Sequence, residues 1–401
     1  MVPSTFIFDT VWPLFKFFQI IGCFPLKKVV INGNVTLLPL CNCLYLSISL
    51  IPFIVVFICV SILKYVAFEE FKCFIMIHPA IVDKLTMCGT ILVFQTIHIS
   101  LYVNSFSYRG QLVNFQDIFI KNCNPIVLMK NKMRKKIMVM SFFISLLVLM
   151  SALCVSIGGV VDCFGNLPTG CYVFVIVMFT FMILFLQGNI HSFLVTYMQV
   201  TSKLITWTTN LTDSIKSEDM ADIQKALPLL DCVFLAKDIF ARPLFIVVIG
   251  AMTNLILLIY TSISHLIDIE RISSIRSFES FIANAFGNIS ICVILCIFLY
   301  ITNDASQLLT DAIRDLKSTI MNMPMNENES VIVDGVEHSS VYARFVIVER
   351  ISCFKGFTGC KFFDLGRPML STVTSNFMTY LIILLQFKLS MSPPNENKDS
   401  N

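Results

Sequence analysis

Thr379-Tyr380-Leu381-Ile382-Ile383-Leu384-Leu385-Gln386-Phe387 closes the last apolar stretch of the chain, fourteen residues before Asn401. An amide inside a lipid-length apolar helix must meet a polar partner or water, because hydrocarbon offers neither. At about 100° per residue, with Thr379 at 0°, Ile383 falls near 40°, Gln386 near −20° and Ser390 near 20°. Three polar residues and one β-branched apolar residue therefore share one narrow stripe. Tyr380, Leu381, Leu384 and Leu385 take the opposite face, which suits packing against other helices. The stripe has two readings. It is interhelical glue within one subunit, or it is a water-facing wall. Rotational symmetry would turn such a wall into polar rings about an axis. A ring of Ile383 would then form an apolar constriction able to close by dewetting.

The rest of the chain suits a membrane protein. Of 401 residues, 56% are hydrophobic and 14% charged, where a soluble domain averages about 25% charged. Mean hydropathy is +0.80. Apolar runs long enough to cross a bilayer occur near residues 40–66, 85–104, 137–160, 171–190, 243–267, 281–301 and 366–388. The expected fold is an all-α membrane protein with seven transmembrane helices. The net charge of +3 and the absence of long basic tracts give no support to a nucleic-acid partner. The first thirty residues do not read as a signal peptide. Trp12 to Leu26 is too short to span and reads as an interfacial helix ending at Gly22 and Pro25.

Lys and Arg set the orientation. Twenty-one of the 29 lie in segments 1–37, 105–136, 191–242 and 302–362. Seven lie on the other side: Lys64, Lys72, Lys84, Arg271, Arg276, Lys388 and Lys398. Arg367 stands at the foot of the last span. The reading places the N-terminus in the cytoplasm and the C-terminus outside, the reverse of a G-protein-coupled receptor. The sequons agree. Asn34-Val-Thr, Asn210-Leu-Thr and Asn328-Glu-Ser fall on the inner side, Asn288-Ile-Ser falls within a span, and no outer loop carries one. The expected divisions are a cytoplasmic segment 1–37, six helices over 38–301, a cytoplasmic anchor 302–362, a last helix 363–390 and an outer tail 391–401.

The inner segments are amphipathic at helical spacing. The apolar sets are Phe193, Leu194, Tyr197, Val200, Leu204, Trp207 and Leu211; then Ile223, Leu227, Leu230, Val233, Phe234 and Ile239; then Leu308, Leu309, Ile313, Leu316 and Ile320; then Val341, Phe345, Val348 and Ile351. Several membrane helices thus run on into the cytoplasm. So much extra apolar helix suits a subunit interface as well as a monomer's own packing. Between them, Asn322 to Ser340 is polar, acidic and broken by Pro324, and reads as a flexible loop.

Polar and aromatic residues in the outer halves of the spans are Thr90, Gln95, Ser151, Tyr172, Tyr260, Asn284 and Asn288. They are candidates to line a small-molecule pocket, and each alone also suits helix packing. Cys163 and Cys171 flank one short outer loop and are candidates for a disulfide, although connectivity is not readable from sequence. The other cysteines read as buried thiols. No metal, cofactor, phosphate-loop or catalytic constellation is visible, so the sequence supports no enzyme. It shows neither Asp-Arg-Tyr after span three nor Asn-Pro-x-x-Tyr in span seven, as a G-protein-coupled receptor would. Internal repeats and intramembrane charges, expected of a secondary transporter, are missing as well.

Two further motifs accompany the closing stretch. One is Gly356-Phe357-Thr358-x-Cys360-x-Phe362-Phe363-Asp364-Leu365, and the other is Phe18-Gln19-Ile20-Ile21-Gly22-x-Phe24-Pro25-Leu26. With Thr379-Tyr380 and Gln386-Phe387 they resemble the arthropod gustatory receptors, seven-helix ligand-gated cation channels of the plasma membrane. The resemblance is specific over residues 350–390 and weaker at 12–26. It implies a homo- or hetero-tetramer with other gustatory receptor subunits, opened by a small-molecule tastant, with the last helix lining a fourfold pore. Carried over by position, Gln386 and Phe387 fall at the constriction and Ile383 at the apolar gate. The cytoplasmic helices would form the intersubunit anchor. The sugar-sensing branch typically has Glu after Thr-Tyr. Here Leu381 stands in its place, which argues against a receptor of that branch. The related odorant receptors share the fold and pore.

Overall fold

The computed structural model describes residues 12–20, 26–31, 34–39, 81–122, most of 139–154, 169–216, 220–267, 278–323, 330–333, 336–360 and 362–391, with Phe8 and Phe24. In chain order the elements are α1 (Trp12–Ile20), a hairpin of β1 (Leu26–Ile31) and β2 (Asn34–Pro39), α2 (Ile81–Asn122), α3 (Thr169–Lys216), a 3₁₀ turn (Met220–Lys225), α4 (Ala226–Ile267) and α5 (Phe278–Asn322). Then come a hairpin of β3 (Ser330–Val333) and β4 (Val336–Ser339), α6 (Ser340–Cys353), a short pair β5 (Thr358–Gly359) and β6 (Phe363–Asp364), and α7 (Arg367–Met391). A further helical stretch lies within 142–154, inside the third expected span. The first expected span, 40–66, lies outside the described residues.

Helices α2 to α5 run 42 to 48 residues. At 1.5 Å per residue each is about 60–70 Å long, roughly twice the hydrocarbon thickness of a bilayer. Each contains one expected span and continues well past it. The continuing halves hold most of the core. Phe193, Leu194, Tyr197, Val200, Leu204, Trp207 and Leu211 of α3 are all buried, as are Leu309, Ile313, Leu316 and Ile320 of α5. Helix α2 packs on α4, and α3 on α5. Gly250 of α4 and Gly89 of α2 allow the first of these contacts, since a side chain at Gly250 would run into Ile97.

Four expectations need correction. Asn322 to Ser340 contains the β3–β4 hairpin, Ser330 paired with Ser339 and Val333 with Val336. The turn dipeptide Asp334-Gly335, with the β-branched Val331, Ile332 and Val333 before it and Val336 after it, favours that pairing. Helix α1 ends at Ile20, shorter than expected, and its Phe15 and Phe18 are buried by protein while Phe17 is exposed. Phe15 meets Phe8 and Phe18 edge-on and Phe24 in a tilted contact at 4.2 Å, and Phe18 meets His191 of α3 at 5.3 Å. On α6 the expected apolar set is split. Ile351 is buried, Val348 is half-buried, and Val341 and Phe345 are exposed, while Ala343 and Ile347 face the core. Leu308 of α5 likewise points outward.

Candidate pore helix and its foot

Among the described residues, helix α7 has almost no cover from its own chain. Of its apolar window only 6% is buried, against 50% for α4 and 44% for α5. Leu381 and Lys388 are buried, and Val373, Phe377, Leu384 and Leu385 are half-buried. These residues form one face, turned to α4 and α5. Thr379, Ile383, Gln386, Phe387 and Ser390 are all exposed on the other side. The Thr379 hydroxyl donates to the Ser375 carbonyl at 3.1 Å, and the Ser390 hydroxyl to the Phe387 carbonyl at 2.9 Å. Both hydroxyls are thus satisfied by their own helix. The Gln386 amide has no protein partner among the described residues. Among the described residues the stripe touches no other helix of its own subunit that it could glue. Tyr380 departs from expectation: it is 58% exposed. It lies about 100° from Thr379 and about as far from Leu381, on the flank between the two faces.

The C-terminal end of α7 is held by Lys388. Its ammonium donates to the Ser264 carbonyl at 3.1 Å and to the Ser264 hydroxyl. Ser264 lies near the end of α4, so this contact ties the last turns of two helices together.

The N-terminal end is built more elaborately, from the motif Gly356 to Leu365. Gly356 has φ +94°, a left-handed conformation that an L side chain resists. It turns the chain out of α6 and drops Phe357 into an aromatic nest. The Phe357 ring lies 5.4 Å from that of Tyr197 and 6.4 Å from those of Phe240 and Phe354. The Leu365 amide then donates to the Phe357 carbonyl at 2.8 Å, closing the loop. Three bonds fasten this loop to α5. The Gly366 amide donates to Asn303 Oδ1 at 3.0 Å. Ser306 donates to the Leu365 carbonyl at 2.9 Å. Arg367 donates to Asp304 at 3.2 Å. Tyr197 reaches the same turn of α5, donating to the Thr302 carbonyl at 3.3 Å. Burial raises the Tyr197 phenol pKa, against a smaller lowering by its bond to Ser306, so it stays a donor. Helix α7 therefore leaves a rigid foot in which α3, α4, α5 and the motif loop meet.

The expected ligand residues are only partly placed. Ser151 and Tyr260 are buried and Asn288 is half-buried. The side chains of Thr90, Gln95, Tyr172, Cys171 and Asn284 lie outside what is described, and so does Cys163. A cavity of about 310 Å³ between α4 and α5 is lined by Leu255, Ile259, Cys292 and Cys296 among others, and by none of the seven expected residues. The sequence reading also passed over Asn254. It is fully buried midway along the fifth expected span, and neither amide atom is hydrogen-bonded among the described residues. No group of three or more metal-ligating side chains occurs among the described residues.

The fold is that of the insect olfactory receptors. The structure of the olfactory receptor OR5 from Machilis hrabei superposes with a TM-score of 0.58 at 13% identity, covering 94% of this chain and 100% of that one. The structure of the same receptor in complex with eugenol gives 0.56 at 14% identity, with the same coverage. No protein-family model and no curated protein sequence matches this chain.

Proposed function

We propose that this chain is a subunit of a gustatory receptor, a ligand-gated non-selective cation channel assembled from four subunits in the plasma membrane. The carrying observation is the exposure of α7. With only 6% cover, a helix of this apolarity standing alone in lipid leaves the Gln386 amide facing hydrocarbon with no partner among the described residues. Fourfold assembly supplies both missing neighbours, water for Thr379, Gln386 and Ser390, and other subunits for the flanks. The exposed Val341, Phe345 and Met321 at the cytoplasmic end give that assembly an apolar surface.

In this reading the N-terminus is cytoplasmic and the C-terminus outside. Ile383 closes the pore and Gln386 with Phe387 forms its constriction. A small organic molecule binds among the outer halves of the spans, as the eugenol complex of the olfactory neighbour invites. Thr90, Gln95, Ser151, Tyr172, Tyr260, Asn284 and Asn288 are the candidate contacts. The fold likeness to an olfactory receptor supports a second reading, an odorant receptor of the same architecture. The Thr379-Tyr380 and Gln386-Phe387 motif favours the gustatory one. The test is whole-cell recording from the chain expressed alone, with non-volatile tastants and volatile odorants applied separately. Cation current evoked only by odorants would refute the gustatory assignment. No ligand-gated current from any assembly at the cell surface would refute the channel.

A further inference from the structure

Where the expected spans meet the cytoplasm, α2 and α4 part around a cavity of about 860 Å³. Asn104, which ends the second expected span, and Pro243, which begins the fifth, both line it. The same wall carries three cations, Lys237, Arg242 and Lys355, and two carboxylates, Asp238 and Asp364. Among the described residues none of these five makes an ion pair. Lys237 is half-buried, with its ammonium 5.6 Å from the centre of the Phe354 ring. That ring packs against Phe234 and Phe357, so the cation is presented from a fixed base. The other four are exposed.

Charged side chains on a convex surface are ordinarily just hydrated. Here they surround a concavity at the depth of the headgroup layer, with apolar span walls leading away from it. A cavity of this size is ample for a headgroup. Its charge pattern selects among headgroups. A wall of three cations and two carboxylates is net +1 and opposes a choline headgroup less well than one with excess negative charge. A serine phospholipid offers a phosphate and a carboxylate to the cations and one ammonium to the carboxylates, for a net −1.

We propose that this cavity binds the headgroup of an anionic aminophospholipid of the cytoplasmic leaflet, of the phosphatidylserine class. Phosphate and carboxylate lie among Lys237, Arg242 and Lys355, and the ammonium meets Asp238 or Asp364. The acyl chains lie along the walls of α2 and α4 beyond Asn104 and Pro243. The leaflet assignment rests on the orientation proposed above, whereas the site itself does not.

The experiment uses the full-length assembly in phosphatidylcholine nanodiscs doped with either phosphatidylserine or phosphatidylglycerol, with retained lipid counted by native mass spectrometry. Phosphatidylserine is retained over phosphatidylglycerol, which has the same net charge and no amine. Arg242→Gln with Lys355→Gln, both at exposed positions, lowers that retention roughly tenfold or more, at about fivefold per lost cation. Asp238→Asn with Asp364→Asn keeps anionic-lipid binding and abolishes the preference for serine over glycerol. Equal retention of the two lipids by the unaltered protein overturns the proposal, as does retention unchanged in Arg242→Gln/Lys355→Gln. Displacement of the lipid by an equal concentration of glycerophosphoserine also overturns it, by showing that the acyl chains contribute nothing. Selective retention together with a cytoplasmic C-terminus supports the site and overturns only the orientation.

Discussion

Lys388 is 3% exposed, and its ammonium donates to the backbone carbonyl of Ser264 at 3.1 Å. A cation near the C-terminal end of α7 thus caps the end of α4 at one of its orphan carbonyls, where such capping is favourable. Lys388→Glu places an anion against those carbonyls and is expected to lower the thermal midpoint of the purified assembly by several degrees, about 2–3 kcal/mol. Lys388→Arg is tolerated. Ser264→Ala costs under about 1 kcal/mol, because the carbonyl remains. Fluorescence-detected thermal unfolding ranks the three, and a Lys388→Glu protein as stable as the parent would mean the contact is incidental.

At the foot of α7, Asn303 and Asp304 look like equivalent neighbours but are not. Asn303 is fully buried and accepts from the Gly366 amide, whereas the Asp304–Arg367 pair is solvent-facing, with the arginine 66% exposed. Asn303→Ala strands a buried N–H and should destabilise by roughly 1–3 kcal/mol. Asp304→Ala should change stability by less than about 1 kcal/mol. Agonist concentration–response curves should shift for Asn303→Ala and stay in place for Asp304→Ala. The reverse order would show that the exposed pair, not the amide, holds the foot.

Along the pore stripe, Ile383→Ser should raise current in the absence of ligand, because a hydroxyl ring stays wet where an apolar ring dewets. Gln386→Ala should alter ion permeability ratios or unit conductance without preventing assembly. Leu384→Ser, on the face turned to α4 and α5, should reduce surface expression more than it alters permeation. Unchanged basal current in Ile383→Ser together with unchanged permeability in Gln386→Ala would return the stripe to a packing role.

Topology has a direct readout. An epitope placed after Asn401 should be labelled on intact cells. Labelling that requires permeabilisation would reverse the orientation drawn from the basic residues.

Leu381 is buried against the body of the subunit. With no carboxylate there, sucrose and trehalose should evoke no current from this chain alone. A robust response to either would remove the argument that separates it from the sugar-sensing branch.

Much of this architecture was legible because its signals are periodic. Tyr197, Val200, Leu204, Trp207 and Leu211 recur at helical spacing and all turn inward. The same method fixed the α7 stripe but placed Tyr380 on the wrong side, since a residue 100° from either face has no periodic signature. Val341 and Phe345 show the limit more sharply. Periodicity tells which residues share a face, not whether that face meets the subunit's own core. Two hairpins went unread although Asn32-Gly33 and Asp334-Gly335 are strong turn dipeptides. A two-stranded hairpin buries too little to leave a long pattern. Lys388 registered only as a charge to be counted, because capping of one helix by another is set by tertiary geometry alone.

Pro243 sits inside α4, where the expected span begins. It has no N–H, so the Ile239 carbonyl lacks its partner four residues on, and a missing bond near the middle of the 42-residue helix is where such helices form a joint. Below the joint, α4 belongs to the aromatic nest and the foot of α7. Above it, α4 packs beside the candidate ligand residues. Substitutions that reshape the upper half need not propagate strain into the lower. In the channel reading proposed above, a lineage built on this backbone can change what it senses while keeping the machinery that opens, so chemical novelty and mechanical conservatism are compatible within one polypeptide.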